Sequence, residues 1–497
     1  MPGRLETRLA VVLLVWVMST PGVRAQESGQ QPQGAGNRAQ APAAPQSSDV
    51  PQSSSPPPGL QNPIGVAPQT ESEQEGTETD TRPLAGAEAI LPTLLGSERS
   101  YIIPSFSFWQ GGDSNPELIY GRSGVSAAAV PVASLDLHLA GRKNTLDLDY
   151  GGGAFLFESN WANSAGFDNF QISDAYTAKR WNFFISDRGS YLPQSALGFG
   201  GIGFAGVFNN AQSLGLGSGS PLNSFYTPGQ SLLTGYSGTL SNTAIAQFQY
   251  FLTPRTSASA VGAFGYQEYT QNGLTSSNDR FATLSVDHQL TPTETVNFAY
   301  TLMQIRYSGG SVALNDNLFR VGYAYRVTHR FTLNVTGGPE LTYQAIQGVF
   351  GVKRRVSLSG QANLGYAARR GGVNLFFLHY LTPGSGVFQG AETSSATLSG
   401  NRELSRTWTG SASVGWSNNR ALSTYALNPA FTEVGHLNYE YLNLRLSHQL
   451  GRSMRVFAVY DFQHQSSGAP IAAGSGRRLN NQIFGAGFEW HPRPFGI

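Results

Sequence analysis

Residues with the chemistry of an active site are few and scattered along this chain. There is no cysteine, which excludes disulfides, thiolate catalysis and cysteine-type zinc sites. Gly201, Gly203 and Gly206 match the pattern GxGxxG, but no strand, helix or later acidic residue supports a dinucleotide site. Asp147 and Asp149 share one face of a predicted strand, where a solvated wall is the simpler interpretation. The histidines show no HExxH motif and no i/i+4 pair: His138, His288, His329, His379, His436, His448, His464 and His491. We therefore expect no catalytic residue, no metal site and no cofactor, and we expect that the protein is not an enzyme.

The composition narrows the class of protein. The chain has 497 residues, of which 13% are charged and 11% aromatic, with 59 glycines. An ordinary soluble protein has about 25% charged residues. The net charge of +1 gives no electrostatic footprint for nucleic acid. No apolar run approaches the ~18 residues of a transmembrane helix, which excludes a helical membrane protein.

Two N-terminal segments precede the predicted fold. Residues 1–25 are typical of a signal peptide: Arg4 and Arg8 are followed by an apolar run from Leu9 to Met18 and by small residues ending at Ala25. Residues 26–92 are rich in Gln, Pro and Ser and have almost no aromatics, so we expect this segment to be disordered. The third region, 93–497, is predicted to form a single β-domain.

That region alternates with a period of two, which is typical of strands. In 441–450 the leucines at 442, 444, 446 and 450 share one face, opposite Asn443 and Arg445. The segments 294–303 and 316–327 repeat the pattern. One face is aromatic and aliphatic, and the other is small and polar.

Short polar connections alternate with long ones along this region. The short turns are predicted at 140–144, 178–180, 253–255, 291–293, 328–330, 369–371, 418–420 and 451–453, and long loops at 110–130, 158–166, 191–241, 271–279, 309–315, 346–353, 383–402, 428–438 and 466–480. Short turns on one side and long loops on the other are typical of transmembrane β-barrels. Eight hairpins and two single strands give 18 strands, and 16–18 is the predicted range. We expect part of 191–241 to narrow the pore.

A closed antiparallel barrel explains why apolar residues lie on one face only. Inside hydrocarbon every backbone N–H and C=O must pair within the protein, and a closed sheet has no edge. The alternative, a soluble all-β protein, would carry a richly charged outer face and, as a propeller, a repeat of about 40–50 residues. We expect an aromatic girdle at the two interfaces from Tyr250, Tyr300, Trp408, Trp416, Tyr441, Tyr460 and Trp490. Strand parity predicts pore-lining charges at Arg320, Arg445, Arg455, Asp136, Asp147, Asp149, Asp287, Asp461 and Glu489.

Two sequence features resemble outer-membrane β-barrel porins of Gram-negative bacteria. The run Phe248–Thr256, with Leu-Thr-Pro-Arg-Thr at its turn, looks like the hairpin unit of that family; Val286–Thr293 repeats it and Leu446–Ser453 is a degenerate copy. Gly485, Phe488 and Trp490 fit the spacing of the C-terminal assembly signal, although Ile483 and the residues after Trp490 depart from it. The resemblance implies a location in the bacterial outer membrane, reached after signal-peptide export.

Three functions remain open at this stage. The first is a passive, porin-like diffusion channel for small hydrophilic solutes, since barrels of this size leave an aqueous lumen. The second is a conduit for export or assembly of a surface polysaccharide. The third is a barrel enzyme or adhesin that acts through its long surface loops. The expected partners are outer-membrane lipid, the barrel-assembly machinery, small solutes and, in an oligomer, further copies of the chain; no nucleic-acid partner is expected.

Overall fold

A computed structural model describes residues 100–115, 124–158, 165–192, 238–270, 275–308, 312–346, 352–382, 389–422, 435–468 and 478–497. The predicted signal peptide (1–25), the predicted disordered segment (26–92), the GxGxxG match and most of loop 191–241 lie outside these residues. Predictions on those segments therefore stay predictions.

The described residues form one antiparallel sheet. Its strands are β1 (Tyr101–Asp113), β2 (Ser126–Ala140), β3 (Asn144–Phe157), β4 (Ala165–Thr177), β5 (Trp181–Leu192), β6 (Thr239–Thr253), β7 (Thr256–Tyr269), β8 (Ser277–Thr291), β9 (Glu294–Tyr307), β10 (Val312–Thr328), β11 (Phe331–Ile346), β12 (Val352–Ala368), β13 (Gly371–Thr382), β14 (Ala391–Glu403), β15 (Trp408–Ala421), β16 (His436–Leu450), β17 (Met454–Ser467), β18 (Arg478–Trp490) and the short β19 (Phe495–Gly496). From β1 to β18 each strand pairs with its sequence neighbours, and β1 pairs with β18. The sheet is therefore a closed barrel of 18 long strands, which confirms the predicted fold class. In the part of the chain that the structure describes, no helix is long and apolar enough to cross a membrane.

The two faces of the barrel wall differ as the alternation predicts. On β8, Leu284 and Val286 are exposed on the outer face, whereas Thr283, Ser285 and Asp287 are buried on the inner face. The ladder carries this assignment from strand to strand, because residues directly opposite each other in a pair point to the same side. Thr283, for example, lies opposite Thr301 of β9, and their hydroxyls are 2.9 Å apart. The outer face is thus apolar, and the inner face carries the polar and charged residues together with two clusters of buried apolar side chains, one around Trp109 and Phe157 and one around Ile305 and Leu314.

One predicted hairpin is displaced. The sequence predicts a loop at 383–402 and a turn at 418–420, but 391–403 is β14, the turn lies at 404–407, and Asn418 is inside β15. The Asn418 side chain donates to Asn438 Oδ1 of β16 at 2.5 Å. The predicted count of 18 still agrees with the number of long strands in the structure. The strand predicted after this turn, at 421–427, lies outside the described residues beyond Leu422.

The sequence prediction misses β14 because the outward residues of this strand are small or polar. They include Ser394, Ala396 and Gly400, and Leu398 is the single large apolar residue in that row. A strand of this composition carries no hydrophobic alternation, and its register comes from the two neighbouring strands instead.

Aromatic rings on the inner and outer faces lie over glycines of the adjacent strand. Tyr441 of β16 covers Gly415 of β15, where a Cβ atom would overlap the tyrosine ring. Phe457 covers Gly487 in the same way. The missing side chain leaves room for a flat ring, which then packs against the backbone and fixes the register of the pair.

The C-terminal residues return to the first strand. After Trp490 the chain passes through 491–494 and forms β19, which pairs with Tyr101 and Ile102 of β1. The Ile497 amide donates to the Ser100 carbonyl at 3.2 Å. The residues after Trp490, which depart from the predicted C-terminal signal, therefore complete the ladder of β1. They do so at the end of the barrel where the short turns lie, here called the turn-side end. The opposite end is called the loop-side end.

Candidate functional site: the charged inner wall

The nine predicted pore-lining charges all lie on the inner face in the strand register. Glu489 lies opposite Arg455 on one side and Ser107 on the other, and Asp287 lies opposite Asn297. Asp461 lies opposite Asn443, whose amide donates to Asp461 Oδ2 at 3.2 Å. In each strand the exposed apolar residues show which alternate positions point outward. These charges occupy the remaining alternate positions, which point inward.

A basic group, here called the Arg445 cluster, lies near the turn-side end across β16, β17 and β18. Arg445 Nη2 donates to Glu489 Oε1 at 2.6 Å, and both side chains are almost fully buried, at 4% and 3% exposure. Arg455 Nη1 and His491 Nε2 approach Glu489 Oε2 at 3.7 and 3.8 Å. The Arg445 guanidinium also lies 4.1 Å from the centre of the Phe457 ring, within cation–π range. One carboxylate is thus shared by two arginines.

An acidic group, here called the Asp147 cluster, lies near the same end across β2, β3 and β5. Asp136 lies opposite Asp149, and Asp147 lies opposite His138, whose Nδ1 is 2.5 Å from Asp147 Oδ1. The ring of Tyr101 stacks on His138 with a centroid distance of 5.0 Å. Arg188 of β5 donates to the Gln171 amide oxygen at 3.1 and 2.5 Å. The cluster therefore holds three carboxylates and one guanidinium.

Sequence reasoning missed several inner charges. Asp113 and Asp279 fall in predicted loops, which prove to be the ends of β1 and β8. Glu340 of β11 follows two glycines and a proline, so its strand gives no clear parity. Four other inner charges could have been found, because the alternation along their strands already places these side chains on the inner face: Asp316, Arg188, Lys353 and Arg355.

The inner face of the described strands carries more acidic than basic side chains. The acidic ones are Asp113, Asp136, Asp147, Asp149, Asp279, Asp287, Asp316, Glu340, Asp461 and Glu489, and the basic ones are Arg188, Arg320, Lys353, Arg355, Arg445 and Arg455. Beside the short turns, Arg326 and Glu403 add one charge of each sign. These strands thus give the inner wall a formal charge of −4 with histidines neutral.

The predicted girdle residues lie on the outer face, with one exception. Tyr250, Trp408 and Trp490 are exposed close to the turn-side end, where an interfacial ring is expected. Tyr300 and Tyr460 lie farther along their strands on the outer face, and Trp416 lies toward the loop-side end.

The assignment of Tyr441 to the girdle is wrong. Its side chain is on the inner face, is only 2% exposed, and donates to Thr397 Oγ1 at 3.2 Å. Tyr441 has the parity of Asn443 and Arg445, and the space above Gly415 accommodates its ring inside the wall.

Histidines do not gather into a site in the described parts of the chain. No group of three or more potential metal ligands is found among those residues. His288 and His448 lie on the outer face before two short turns. His288 Nδ1 is 2.9 Å from Thr256 Oγ1, and the His448 ring packs at a tilt against Trp408, with a centroid distance of 4.5 Å.

Comparisons with known proteins give similar folds at low similarity. No family model and no curated protein matches the chain. Among solved structures, the chain is similar to OccK2 (OpdF) of Pseudomonas aeruginosa, with 9% identity, a TM-score of 0.41 and coverage of 79% of this chain and 98% of that one. It is similar to OccAB4 of Acinetobacter baumannii, with 8% identity, a TM-score of 0.42 and coverage of 81% and 99%.

The ferric citrate transporter FecA is similar at 12% identity, with a TM-score of 0.39 and coverage of 79% of this chain. This chain spans 64% of the length of FecA. Likenesses at this level leave the function to be inferred from the barrel itself.

Proposed function

We propose that the protein is an outer-membrane channel through which small hydrophilic solutes diffuse passively. The observation that carries the proposal is the difference between the two wall faces: large apolar side chains are exposed outside, and polar and charged side chains line the inside together with two clusters of buried apolar residues. A closed sheet with this arrangement satisfies its backbone within hydrocarbon and offers water a polar wall. Barrels of 16–18 strands have room for an aqueous lumen.

The excess of acidic side chains on the inner wall adds an ion preference to this proposal. An acidic surplus on a low-dielectric wall raises the local concentration of cations and lowers that of anions. The channel is therefore proposed to favour cations over anions, with the Asp147 cluster as the largest local source of negative charge.

The proposal includes the partners of a typical outer-membrane barrel. Lipid covers the outer face, and the assembly machinery recognises β18 through Gly485, Phe488 and Trp490. No catalytic step is assigned to the inner wall.

The decisive experiment uses single cysteines in a chain that has none. Ser413 and Val414 are adjacent on β15, but Ser413 points inward and Val414 is exposed on the outer face. The refolded protein is inserted into planar bilayers, and a membrane-impermeant, negatively charged thiol reagent is added to the Ser413→Cys and Val414→Cys variants. We expect stable conductance that changes on modification at 413 and does not change at 414.

Three results bear against the proposal. Absence of any stable conductance by the wild type excludes a passive channel. Equal responses at 413 and 414 contradict the assignment of the inner face to water. Loss of a surface polysaccharide in a deletion strain, with solute uptake intact, supports the export conduit instead.

A further inference from the structure

The short connections at the turn-side end carry basic residues and no acidic ones. Eleven lysines and arginines lie in the eight short turns and in the C-terminal segment 491–494, which contain no aspartate and no glutamate. All eleven side chains are exposed, and none forms an ion pair with a described residue. At the loop-side end, by contrast, the outward charges are of both signs, as Glu268 of β7 and Arg280 of β8 show. We call the eleven residues the basic collar: Arg142, Lys143, Lys179, Arg180, Arg255, Arg330, Arg369, Arg370, Arg406, Arg452 and Arg493.

The conformation of the turns does not explain these charges. In the β2–β3 and β4–β5 hairpins, the residue before the turn donates its amide to the carbonyl of the residue after the turn, at 2.7 and 2.9 Å. Each hairpin therefore has a two-residue turn, and such turns favour Gly, Asn and Asp at their two central positions. The chain instead has Arg142-Lys143 and Lys179-Arg180 at these positions. Two adjacent like charges at a hairpin tip repel each other, so they point to a negatively charged partner.

The tips of these two hairpins are neighbours. The Thr177 amide at the end of β4 donates to the Lys143 carbonyl at 2.8 Å, which joins β4 to the β2–β3 turn. The nearest outward carboxylate on these strands is Asp174, which lies three residues inside β4 and opposite the exposed Ile185. One carboxylate thus faces four basic side chains on two adjoining tips. We call these four residues the tip patch: Arg142, Lys143, Lys179 and Arg180.

A pair of outward rings lies directly beside the tip patch. Trp181 follows Arg180 and is exposed on the outer face, and the Tyr176 ring stacks on it with a centroid distance of 5.1 Å. Phe183 and Ile185 continue the exposed row of β5 away from the turn. Tryptophan and tyrosine concentrate at the level of the lipid headgroups. In the membrane placement proposed above, the tip patch therefore lies among headgroups and the apolar row lies against acyl chains.

We propose that the tip patch binds the headgroup of an anionic phospholipid in the leaflet at the turn-side end. The arginine and lysine side chains pair with the phosphate oxygens, and the acyl chains lie along Trp181, Phe183 and Ile185. A zwitterionic headgroup carries its own ammonium group, which the patch repels. The rest of the basic collar raises the concentration of anionic lipid around this end of the barrel. The inference rests on the outer-membrane placement proposed above.

The test measures lipid retention by the refolded full chain. Native mass spectrometry follows the protein in an equimolar mixture of phosphatidylglycerol and phosphatidylcholine with the same acyl chains. We expect the wild type to retain phosphatidylglycerol in preference to phosphatidylcholine. The double variant Lys179→Gln/Arg180→Gln should lower that preference about tenfold or more, since one basic residue near an anionic headgroup layer contributes about fivefold. The turn itself is held by backbone hydrogen bonds, which these changes leave in place.

The matched control is Arg369→Gln/Arg370→Gln. It removes the same number of charges from another two-residue turn of the basic collar, between β12 and β13. The Glu403 amide donates to the Arg370 carbonyl at 2.8 Å, so an acidic residue adjoins this turn, and no tryptophan follows it. We expect the control to change the preference by less than about threefold. Equal losses in the two double variants would overturn the assignment of the site to the tip patch.

Two further outcomes would also overturn the proposal. Displacement of phosphatidylglycerol by an equal concentration of glycerol phosphate would show that the patch binds free phosphate rather than lipid. Unchanged retention in Lys179→Gln/Arg180→Gln, with an altered cation-to-anion permeability ratio in planar bilayers, would show that these side chains act at the mouth of the pore. Wild-type conductance is recorded with the same samples, so the channel and the lipid site can fail separately.

Discussion

The ion pair between Arg445 and Glu489 offers the sharpest test of how the inner wall is held. Both side chains are almost fully buried, and the Glu489 carboxylate lies within 4 Å of both Arg445 and Arg455. Changing Glu489 to glutamine keeps the shape of the side chain and one acceptor but removes the charge. Two guanidinium groups then share a site that has lost the negative charge between them.

The expected cost follows from the burial of the pair. Removing one partner of a buried ion pair destabilises a protein by about 3–5 kcal/mol, because the remaining charge is left unpaired in a poorly solvated site. The side-chain amide of the Glu489→Gln variant retains a hydrogen bond to Arg445, so we expect the lower end, about 3 kcal/mol. In the double variant Arg445→Met/Glu489→Gln the unpaired charge at 445 is gone, and we expect at least about 1.5 kcal/mol to be recovered relative to the sum of the single variants.

The assay is equilibrium unfolding by guanidinium chloride of the protein folded in lipid vesicles, followed by tryptophan fluorescence. The four proteins of the double-mutant cycle are compared at constant pH and salt. Glu489→Asp, which keeps the charge, is the control. Single-variant effects that add to within about 0.5 kcal/mol would show that the two side chains are not coupled, and the interpretation of Glu489 as the shared counter-ion would be refuted.

Two further predictions concern charge and packing. Changing the three carboxylates of the Asp147 cluster to asparagine removes most of the inner acidic surplus; they are Asp136, Asp147 and Asp149. We expect the cation-to-anion permeability ratio, measured from reversal potentials in a KCl gradient, to fall by about half or more. An unchanged ratio would show that this cluster does not set the ion selectivity. Gly415→Ala places a methyl group on the ring of Tyr441 and should destabilise the barrel by about 1–3 kcal/mol in the same unfolding assay. Gly262→Ala, where no atom lies within 4 Å of the added Cβ, should leave stability nearly unchanged, and equal effects at the two glycines would contradict the packing argument.

The sequence predicts the barrel well because a closed sheet requires the same alternation of residues in every strand. In a wall with lipid on one side, every strand must alternate with the same period, and one apolar row such as Leu442, Leu444 and Leu446 fixes the parity of the whole strand. Charges on the opposite parity, including Arg445, then follow without further information. That is why all nine proposed inner charges share one face.

The failures have local physical causes. Strand β14 presents small outward residues, so it shows no alternation, and its place depends on hydrogen bonds to β13 and β15. Tyr441 is misplaced when its residue type is given more weight than its parity. The end of β13 is hydrogen-bonded to Glu340, which lies two strands away from Leu381, and no local sequence pattern reports a contact of that kind.

The return of the C-terminal residues to β1 has a consequence for the connectivity of the ring. Ser100 and Ile497 are joined by a backbone hydrogen bond of 3.2 Å, so the first and last described residues are spatial neighbours. The closed sheet therefore does not require β1 to be the first strand in the sequence. A circularly permuted gene would fuse residue 497 to residue 100 by a short linker and open the chain inside a loop-side connection. We expect this gene to encode the same barrel, although a different hairpin would be synthesised first.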